Sequence, residues 1–191
     1  MIFSNFFGID DSSTKSVALR ALGGVFMVEP RLMLELEQEG FLRQVLDPAT
    51  DMQMQFEAMV SWKDILIAEE KRIDGGYAKK KMEQDATITV SKKISGDQDG
   101  DSNIFGGVLT SYADSLFRMT KATDSRVRLA SVELLEVIMR QGLVNPNEAV
   151  PHLFALQGDV DSPDIRDLAC TLLMAEGEKR PDTLRLRICA G

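Results

Sequence analysis

The sequence predicts an all-α fold, an α-solenoid of antiparallel helix pairs that resemble HEAT repeats. Hydrophobic residues make up 44% of the 191 residues but aromatic residues only 6%, and ten residues are methionine. This composition favours helices over a β-sandwich or barrel. Two segments also resemble each other, DSRVRLASVELL from Asp124 and DSPDIRDLACTLL from Asp161. Their arginines, Arg128 and Arg166, lie 38 residues apart, close to the ~40 to 47 residues of a HEAT-type repeat.

Two helices are predicted at the start of the chain. Residues 1–11 are expected to form a flexible N-terminus, and a helix follows over 12–28 with a serine or threonine as its N-cap. Pro30 suits the first position of a second helix, which runs to Asp47 with a break at Gly40. The residues expected to face the core are Val17, Leu19, Leu22, Val25 and Phe26, then Leu32, Leu34, Phe41, Leu42 and Val45.

A third helix is predicted from about residue 50 to Ile73, where Asp74 and a glycine pair stop it. It completes a HEAT-like helical segment over 12–73. Its predicted core stripe consists of Met52, Phe56, Met59, Trp62 and Leu66. Residues 74–102 combine lysine runs with the acidic, glycine-bearing SGDQDGDS, a composition typical of a polar, mobile connector.

Residues 103–191 are predicted to form further HEAT-like helical repeats. Helices are expected over 103–122, 124–142, 146–156 and 163–175, and a last short helix is expected from Pro181. Prolines at 146, 163 and 181 each follow a polar residue and suit the first helical position. Pro151 fits only the first turn of a helix, which favours a fresh helix start near Glu148. Glu133, Glu136 and Arg140 are expected on a solvent-facing side, where Glu136 and Arg140 form a pair four residues apart.

The motifs of common enzyme and metal sites are missing from the sequence, so we predict no catalytic residue, no metal site and no cofactor. His152 is the only histidine; it has no serine or cysteine nucleophile beside it and no second histidine to share a metal. We interpret it as a contact between repeats. The run from Asp97 to Ser102 resembles the start of a calcium loop, but its sixth position lacks the glycine that such loops need. The glycine pairs 23–24 and 106–107 are interpreted as points of close helix approach.

Charged residues provide two sets of candidate contacts. The formal net charge is −8, so binding to DNA would require a segregated basic patch. The candidate partner-contact residues are the basic tail residues Lys179, Arg180, Arg185 and Arg187. The candidate structural ladder between repeats consists of Asp124, Arg128, Asp161 and Arg166. Cys170 and Cys189 lack CxxC spacing and are expected to be free thiols of an intracellular, soluble protein.

Several colinear segments resemble the C-terminal HEAT region of the cohesin loader, the Nipped-B or sister chromatid cohesion family. They are LGGVFMVEPRLML (22–34), IAEEKRI (67–73), DSRVRLASVELLEVIMRQGLVNPNEAVPHLFALQGD (124–159), RDLA (166–169) and EKRPDTLRLRICAG (178–191). The most specific of these motifs is GLVNP followed by VPHLFAL. The connector over 74–102 matches only in being variable and polar.

The resemblance implies a non-enzymatic scaffold in the nucleus, associated with chromatin. Its partners would be cohesin complex subunits, with DNA contact in the full-length context and neither a membrane nor a small-molecule substrate. Because proteins of the family are several times longer, the resemblance also implies that this chain holds one end of a longer solenoid. Two alternatives stay open from the residues: a general HEAT or armadillo adaptor unrelated to chromosomes, and an enzyme of helical fold.

Overall fold

The computed structural model describes residues 11–29, 31–38, 40–47, 49–86 and 98–181. These residues form eight α-helices and no strand, which confirms the predicted all-α class. The helices are α1 (Ser12–Val28), α2 (Arg31–Gln38), α3 (Phe41–Val45), α4 (Met52–Ala86), α5 (Gln98–Met119), α6 (Ser125–Arg140), α7 (Pro146–Leu156) and α8 (Pro163–Lys179).

Helices α1, α4, α6 and α8 lie side by side and form the first layer of the fold. Between α1 and α4, Arg20 pairs with Glu57 and Gly23 lies against Ser61. Between α4 and α6, Lys63 pairs with Glu133, and Glu70 pairs with Arg140. At both boundaries, a residue further along one helix contacts a residue further along its neighbour. Neighbouring helices of this layer therefore run parallel.

The second layer contains α2 with α3, then α5, then α7, and each brings the chain back towards the start of the next first-layer helix. Helix α2 contacts α5, α5 contacts α4 and α6, and α7 packs on α8. Phe117 of α5 and His152 of α7 stack with ring centroids 4.9 Å apart, which joins these two return helices. Two layers of helices that alternate along the chain in antiparallel pairs form the predicted α-solenoid.

The first helix has the predicted bounds but differs in its cap and in two core positions. The side chain of Asp11 accepts a hydrogen bond from the Thr14 backbone and caps α1, so the predicted serine or threonine cap is wrong. Val17 and Val25 are exposed, whereas Leu19 is buried. Since both sides of α1 are apolar, its sequence pattern could not tell which side meets α4. Leu34 and Met52 are exposed as well, so these two predicted core positions are also wrong.

The break predicted in the second helix is confirmed at Gly40. This residue has φ of 75° and separates α2 from α3. An ordinary L residue would pay about 1 to 2 kcal/mol for that left-handed conformation. Pro30 lies outside the described residues, so its place at the start of α2 stays a prediction.

The predicted end of the third helix at Asp74 is wrong, because α4 continues to Ala86. The residues that follow the glycine pair, YAKKKMEQDA, are mostly strong helix formers, and each glycine costs a helix only about 1 kcal/mol. Helix α5 likewise begins at Gln98, before the predicted start at residue 103. Residues 87–97 lie outside the described residues, and the mobility expected of the connector stays a prediction.

Glycine and asparagine set the junction between α6 and α7. Gly142 has φ of 69°, and the N–H groups of Gly142 and Leu143 donate to the carbonyls of Met139 and Ile138 at 3.1 and 2.9 Å. This double bond pattern is a Schellman motif that closes α6. The Asn145 side chain then caps α7, which starts at Pro146.

The expectation of a fresh helix start near Glu148 is wrong, since Pro151 lies inside α7. The ring of Pro151 is exposed. A proline there removes one backbone hydrogen bond, and burial of Val150, Leu153 and Leu156 against the core offsets that loss. Helix α8 extends to Lys179, and the last predicted helix, beyond Pro181, lies outside the described residues.

Candidate functional site

One arginine joins the start of α6 to the turn before α8. Arg128 donates from Nε and Nη2 to the Asp159 carboxylate at 2.6 and 3.2 Å, and from Nη2 to Asp161 Oδ2 at 2.6 Å. Its Nη1 donates to the carbonyls of Ala122 and Thr123 at 2.9 and 2.8 Å. The Arg128 side chain is 11% exposed and that of Asp159 only 4%. The guanidinium therefore links the start of α6 and the turn before it to the turn before α8. Arg128 and Asp159 are largely shielded from water, whereas the Asp161 side chain is 58% exposed. We name this arrangement the Arg128 junction.

The charges of the Arg128 junction stabilise one another. Hydrogen bonds from Arg128 lower the pKa of Asp159 below its usual 3.8, and the backbone N–H groups of Ser162 and Asp161 lower it further, while burial opposes the shift. The same bond raises the pKa of Arg128. Both groups are thus charged at neutral pH, and charge-assisted, bidentate bonds of this kind are among the stronger polar contacts in proteins.

The structure brings the four candidate ladder residues to this region, but in unequal roles. Arg128 reaches Asp161 across the repeat boundary. Asp124 caps α6 and pairs with Arg126 at 2.7 Å instead. The Nη1 of Arg166 donates to the backbone carbonyl of Asp159 at 2.6 Å rather than to a carboxylate.

Asp159, the most buried partner in the junction, was missed by the sequence analysis. Its Oδ1 accepts hydrogen bonds from the N–H groups of Asp161 and Ser162, both at 3.0 Å. An aspartate two and three residues before those N–H groups, in a turn that precedes a proline, is typical of an Asx-turn. That signal lay in the segment GDVDSP and could have identified Asp159 as a turn residue, although not as the partner of Arg128.

The boundary between α4 and α6 carries two further ion pairs. Lys63 Nζ lies 2.5 Å from Glu133 Oε2, and Arg140 Nη2 lies 2.7 Å from Glu70 Oε2. The bond from Arg140 lowers the pKa of Glu70. The prediction that Glu133 and Arg140 lie on a free outer face, with Arg140 paired inside its own helix, is therefore corrected: both side chains bridge to α4.

The basic tail is described only at its beginning. Lys179 and Arg180 are exposed at the end of α8, and Arg180 Nε lies 3.6 Å from Glu176 Oε1. Arg185 and Arg187 lie outside the described residues. The role of these four residues in partner contact stays a prediction.

His152 lies between two second-layer helices, α5 and α7. Its ring is stacked on Phe117 with an interplanar angle of 11°, and its Nδ1 is 3.4 Å from Thr120 Oγ1. Burial lowers the pKa of His152, and the positive charge of Lys121 lowers it further, while Asp114 opposes both. A neutral histidine in an aromatic contact is what a packing role requires.

The described part of the chain contains neither a cluster of metal ligands nor a helix that could cross a membrane. It contains no group of three or more histidine, cysteine, aspartate or glutamate side chains placed to hold a metal ion. No described helix is long and apolar enough to cross a bilayer. Within the same ranges Cys170 is a free, half-buried thiol, and Cys189 lies outside them.

The C-terminal part of the chain is similar to a known protein family. Residues 105–191 match the family model of Nipped-B, described as the sister chromatid cohesion C-terminus. The predicted resemblance to the C-terminal region of the Nipped-B family is confirmed. The matched residues include most of α5 and all of α6, α7 and α8, and thus the whole Arg128 junction.

Curated relatives extend the similarity to nearly the whole chain. The chain is 24% identical over 186 residues to Nipped-B-like protein B of Danio rerio, and 23% identical over 185 residues to the Nipped-B-like proteins of Mus musculus and Homo sapiens. In each case the alignment covers 95% of this chain. The chain spans about 6% of the length of these relatives.

Proposed function

We propose that this chain is a non-enzymatic HEAT-repeat scaffold that acts in sister chromatid cohesion. In this proposal it binds subunits of the cohesin complex and promotes cohesin loading onto chromosomes, in the nucleus and on chromatin. The observation that carries the proposal is the family match over 105–191, because it coincides with a contiguous block of solenoid from α5 to α8.

The geometry supports a scaffold because its polar groups serve to hold repeats together. The buried charges of the Arg128 junction are all bonded to one another or to backbone carbonyls. His152 is stacked on Phe117, and the Thr120 hydroxyl beside its ring is buried and donates to the Phe117 carbonyl. A solenoid of this kind presents an extended surface to a partner, and the proposal requires no cofactor and no small-molecule substrate.

The basic tail is the proposed contact for cohesin. The chain is acidic as a whole, so a cluster of four cations at one end stands out as a surface for an acidic patch on a partner. Lys179 and Arg180 begin this cluster at the exposed end of α8. The remaining members, Arg185 and Arg187, follow within eight residues.

A binding assay with purified cohesin ATPase heads and kleisin tests the proposal. We expect the wild-type chain to bind, and a variant with glutamate at 179, 180, 185 and 187 to bind about tenfold more weakly or worse, a change of about 1.4 kcal/mol or more. The matched control reverses two exposed cations elsewhere, Arg43→Glu and Lys71→Glu, and should bind as the wild type does. No binding by any of the three proteins would refute the cohesin assignment, and equal weakening by the control would refute the tail as its contact.

Contact with DNA is a second part of the proposal and is tested separately from cohesin binding. We expect any affinity of this chain for duplex DNA to fall steeply with salt and to depend on the same basic tail. Gel-shift titrations at two salt concentrations with the tail variant measure this. Cofractionation of the chain with chromatin rather than with membranes would distinguish the proposal from a general HEAT or armadillo adaptor.

A further inference from the structure

A groove lies between α4, α5 and the turn that follows α6. It encloses about 270 Å³, close to the lower limit of about 300 Å³ for small-molecule sites, so it suits one or two side chains of a partner. Its apolar floor consists of Leu66, Ile73 and Leu143. Leu66 is buried, whereas Ile73 is 38% exposed, and the floor is therefore open to solvent. We name this feature the α4–α5 groove.

Gly106 leaves room in the groove on the side of α5. A Cβ at this position would lie 3.6 Å from Leu143 Cδ2, in ordinary van der Waals contact. Gly106 lies inside a helix, where alanine is more favourable than glycine by about 1 kcal/mol. Neither helix formation nor close packing requires a glycine here, and a larger side chain would fill part of the groove.

The rim of the groove is acidic. Its charged residues are Glu69, Glu70 and Asp74, and no described lysine or arginine lines it. Glu69 is ion-paired with Arg72, and Glu70 with Arg140. The carboxylate of Asp74 is exposed and meets no cation among the described residues. The groove also lies at the C-terminal end of α6, the negative end of its helix dipole, so the charge that it offers to a ligand is negative.

We propose that the α4–α5 groove binds a segment of a partner protein in which an arginine or lysine stands beside an apolar residue. The apolar side chain packs on the floor, and the cation reaches Asp74 and Glu70. Arg140 and Gln141 both donate to Oε2 of Glu70, which leaves its Oε1 able to accept. Arginine and lysine suit such a site because their aliphatic stems pack on apolar surface while their charged ends reach carboxylates.

The proposal does not depend on the contact proposed for the basic tail. It rests on α4, α5 and the end of α6, and it assigns a ligand of the opposite charge to the one that the tail would bind. Its test requires no cohesin subunit, so the cohesin assignment and this proposal can fail separately.

Fluorescence anisotropy with the full chain tests the proposal. The probe is a short fluorescein-labelled peptide of alternating leucine and arginine. Gly106→Leu blocks the groove, and Gly107→Leu is the matched control, because residue 107 follows on the same helix, does not line the groove and has open space where its Cβ would be. We expect the wild type and the control to bind alike, and Gly106→Leu to bind at least about tenfold more weakly.

Asp74→Asn measures the contribution of the charge. Its matched control is Asp64→Asn, which changes an exposed aspartate of α4 that does not line the groove. Exposed ion pairs contribute little, so we expect Asp74→Asn to weaken binding about two- to fivefold and the control to leave it unchanged. The loss should shrink as added salt screens the charges. Because Asp74 is exposed, this variant still tests the proposal if circular dichroism shows that Gly106→Leu does not fold.

NMR spectra of the chain with and without the peptide locate its site. We expect the amide resonances of Gly106, Gln141 and Leu143 to shift on binding, and shifts confined to other residues would overturn the proposal. So would a wild-type chain that does not bind the peptide, or equal weakening by the two leucine variants.

Two further outcomes would change the occupant. Equal binding of a peptide with glutamate in place of arginine would show that charge does not select the ligand. If light scattering gave the mass of two chains for the wild type and of one chain for Gly106→Leu, the groove would belong to a contact between copies. Either result would overturn the proposal of a basic partner segment.

Discussion

Replacement of Arg128 by methionine should lower the free energy of unfolding by about 2 to 3 kcal/mol. Breaking one side of a fully buried ion pair costs about 3 to 5 kcal/mol because a charge is left without a partner. Asp159 would keep the two backbone N–H donors of Asp161 and Ser162, so the loss falls below that range. Methionine retains most of the aliphatic stem of Arg128 and thus isolates the effect of the guanidinium.

Urea denaturation at pH 7, followed by circular dichroism, measures the loss. Arg126→Met is the matched control, since Arg126 lies two residues away on the same helix and also pairs with an aspartate, but its side chain is 60% exposed. Exposed pairs contribute little, so the control should change stability far less than Arg128→Met. Equal losses for the two variants, or a loss for Arg128→Met below about 0.5 kcal/mol, would refute the view that the Arg128 junction holds the repeats together.

The dependence of this loss on pH follows from the lowered pKa of Asp159. The folded-state pKa lies below the ordinary 3.8, so the stabilisation is fully present above that value and is lost as pH falls through the folded pKa. The difference between wild type and Arg128→Met should therefore be constant from pH 7 to about pH 5. It should narrow only in stronger acid, and narrowing at pH 6 would contradict this assignment.

Three further predictions concern the core and its turns. Gly23→Ala should destabilise the fold by about 1 to 3 kcal/mol, because a Cβ there would lie 2.9 Å from Ser61 Cβ. Gly107→Ala should instead stabilise the fold by about 0.4 to 1 kcal/mol, because a Cβ at that position would meet nothing within 4 Å; thermal melts of the two variants check both predictions. Gly142→Ala should cost about 1 to 2 kcal/mol in the same assay, because φ of 69° is unfavourable for alanine. Since burial lowers the folded-state pKa of His152 below 6.5, stability should fall as pH falls from 7 to 5, and His152→Gln should remove that dependence; a wild-type curve that is flat over this range would contradict it.

Most helices were predictable from the sequence because they are marked by local signals. Gly40 and Gly142 end helices through left-handed conformations that side chains disfavour, and Asn145 and Ser162 cap α7 and α8. Such signals act within a few residues of the chain, so a single sequence displays them.

Two of the features that the sequence analysis missed depend on contacts between residues that are far apart in the sequence or on the position of another helix. Arg128 and Asp159 are 31 residues apart, and their pairing follows from the way α6 packs on α8. Similarly, Val17 and Leu19 are both apolar, and only the position of α4 decides that Leu19 is buried. The close-approach role predicted for the glycine pairs holds at Gly23, whereas the space beside Gly24 is open.

The common direction of the first-layer helices also aligns the helix dipoles within that layer. In an antiparallel bundle the helix dipoles cancel between neighbours, but within this layer α4, α6 and α8 all point their positive ends to one edge. Carboxylates lie at that edge, since Asp51, Asp124 and Asp159 each accept hydrogen bonds from the N–H groups at a helix start. Arg140 and Lys179 lie in the last turns, at the negative ends. The side chains thus oppose the backbone field at both edges, and the layer can be lengthened by further parallel helices without accumulating a large dipole.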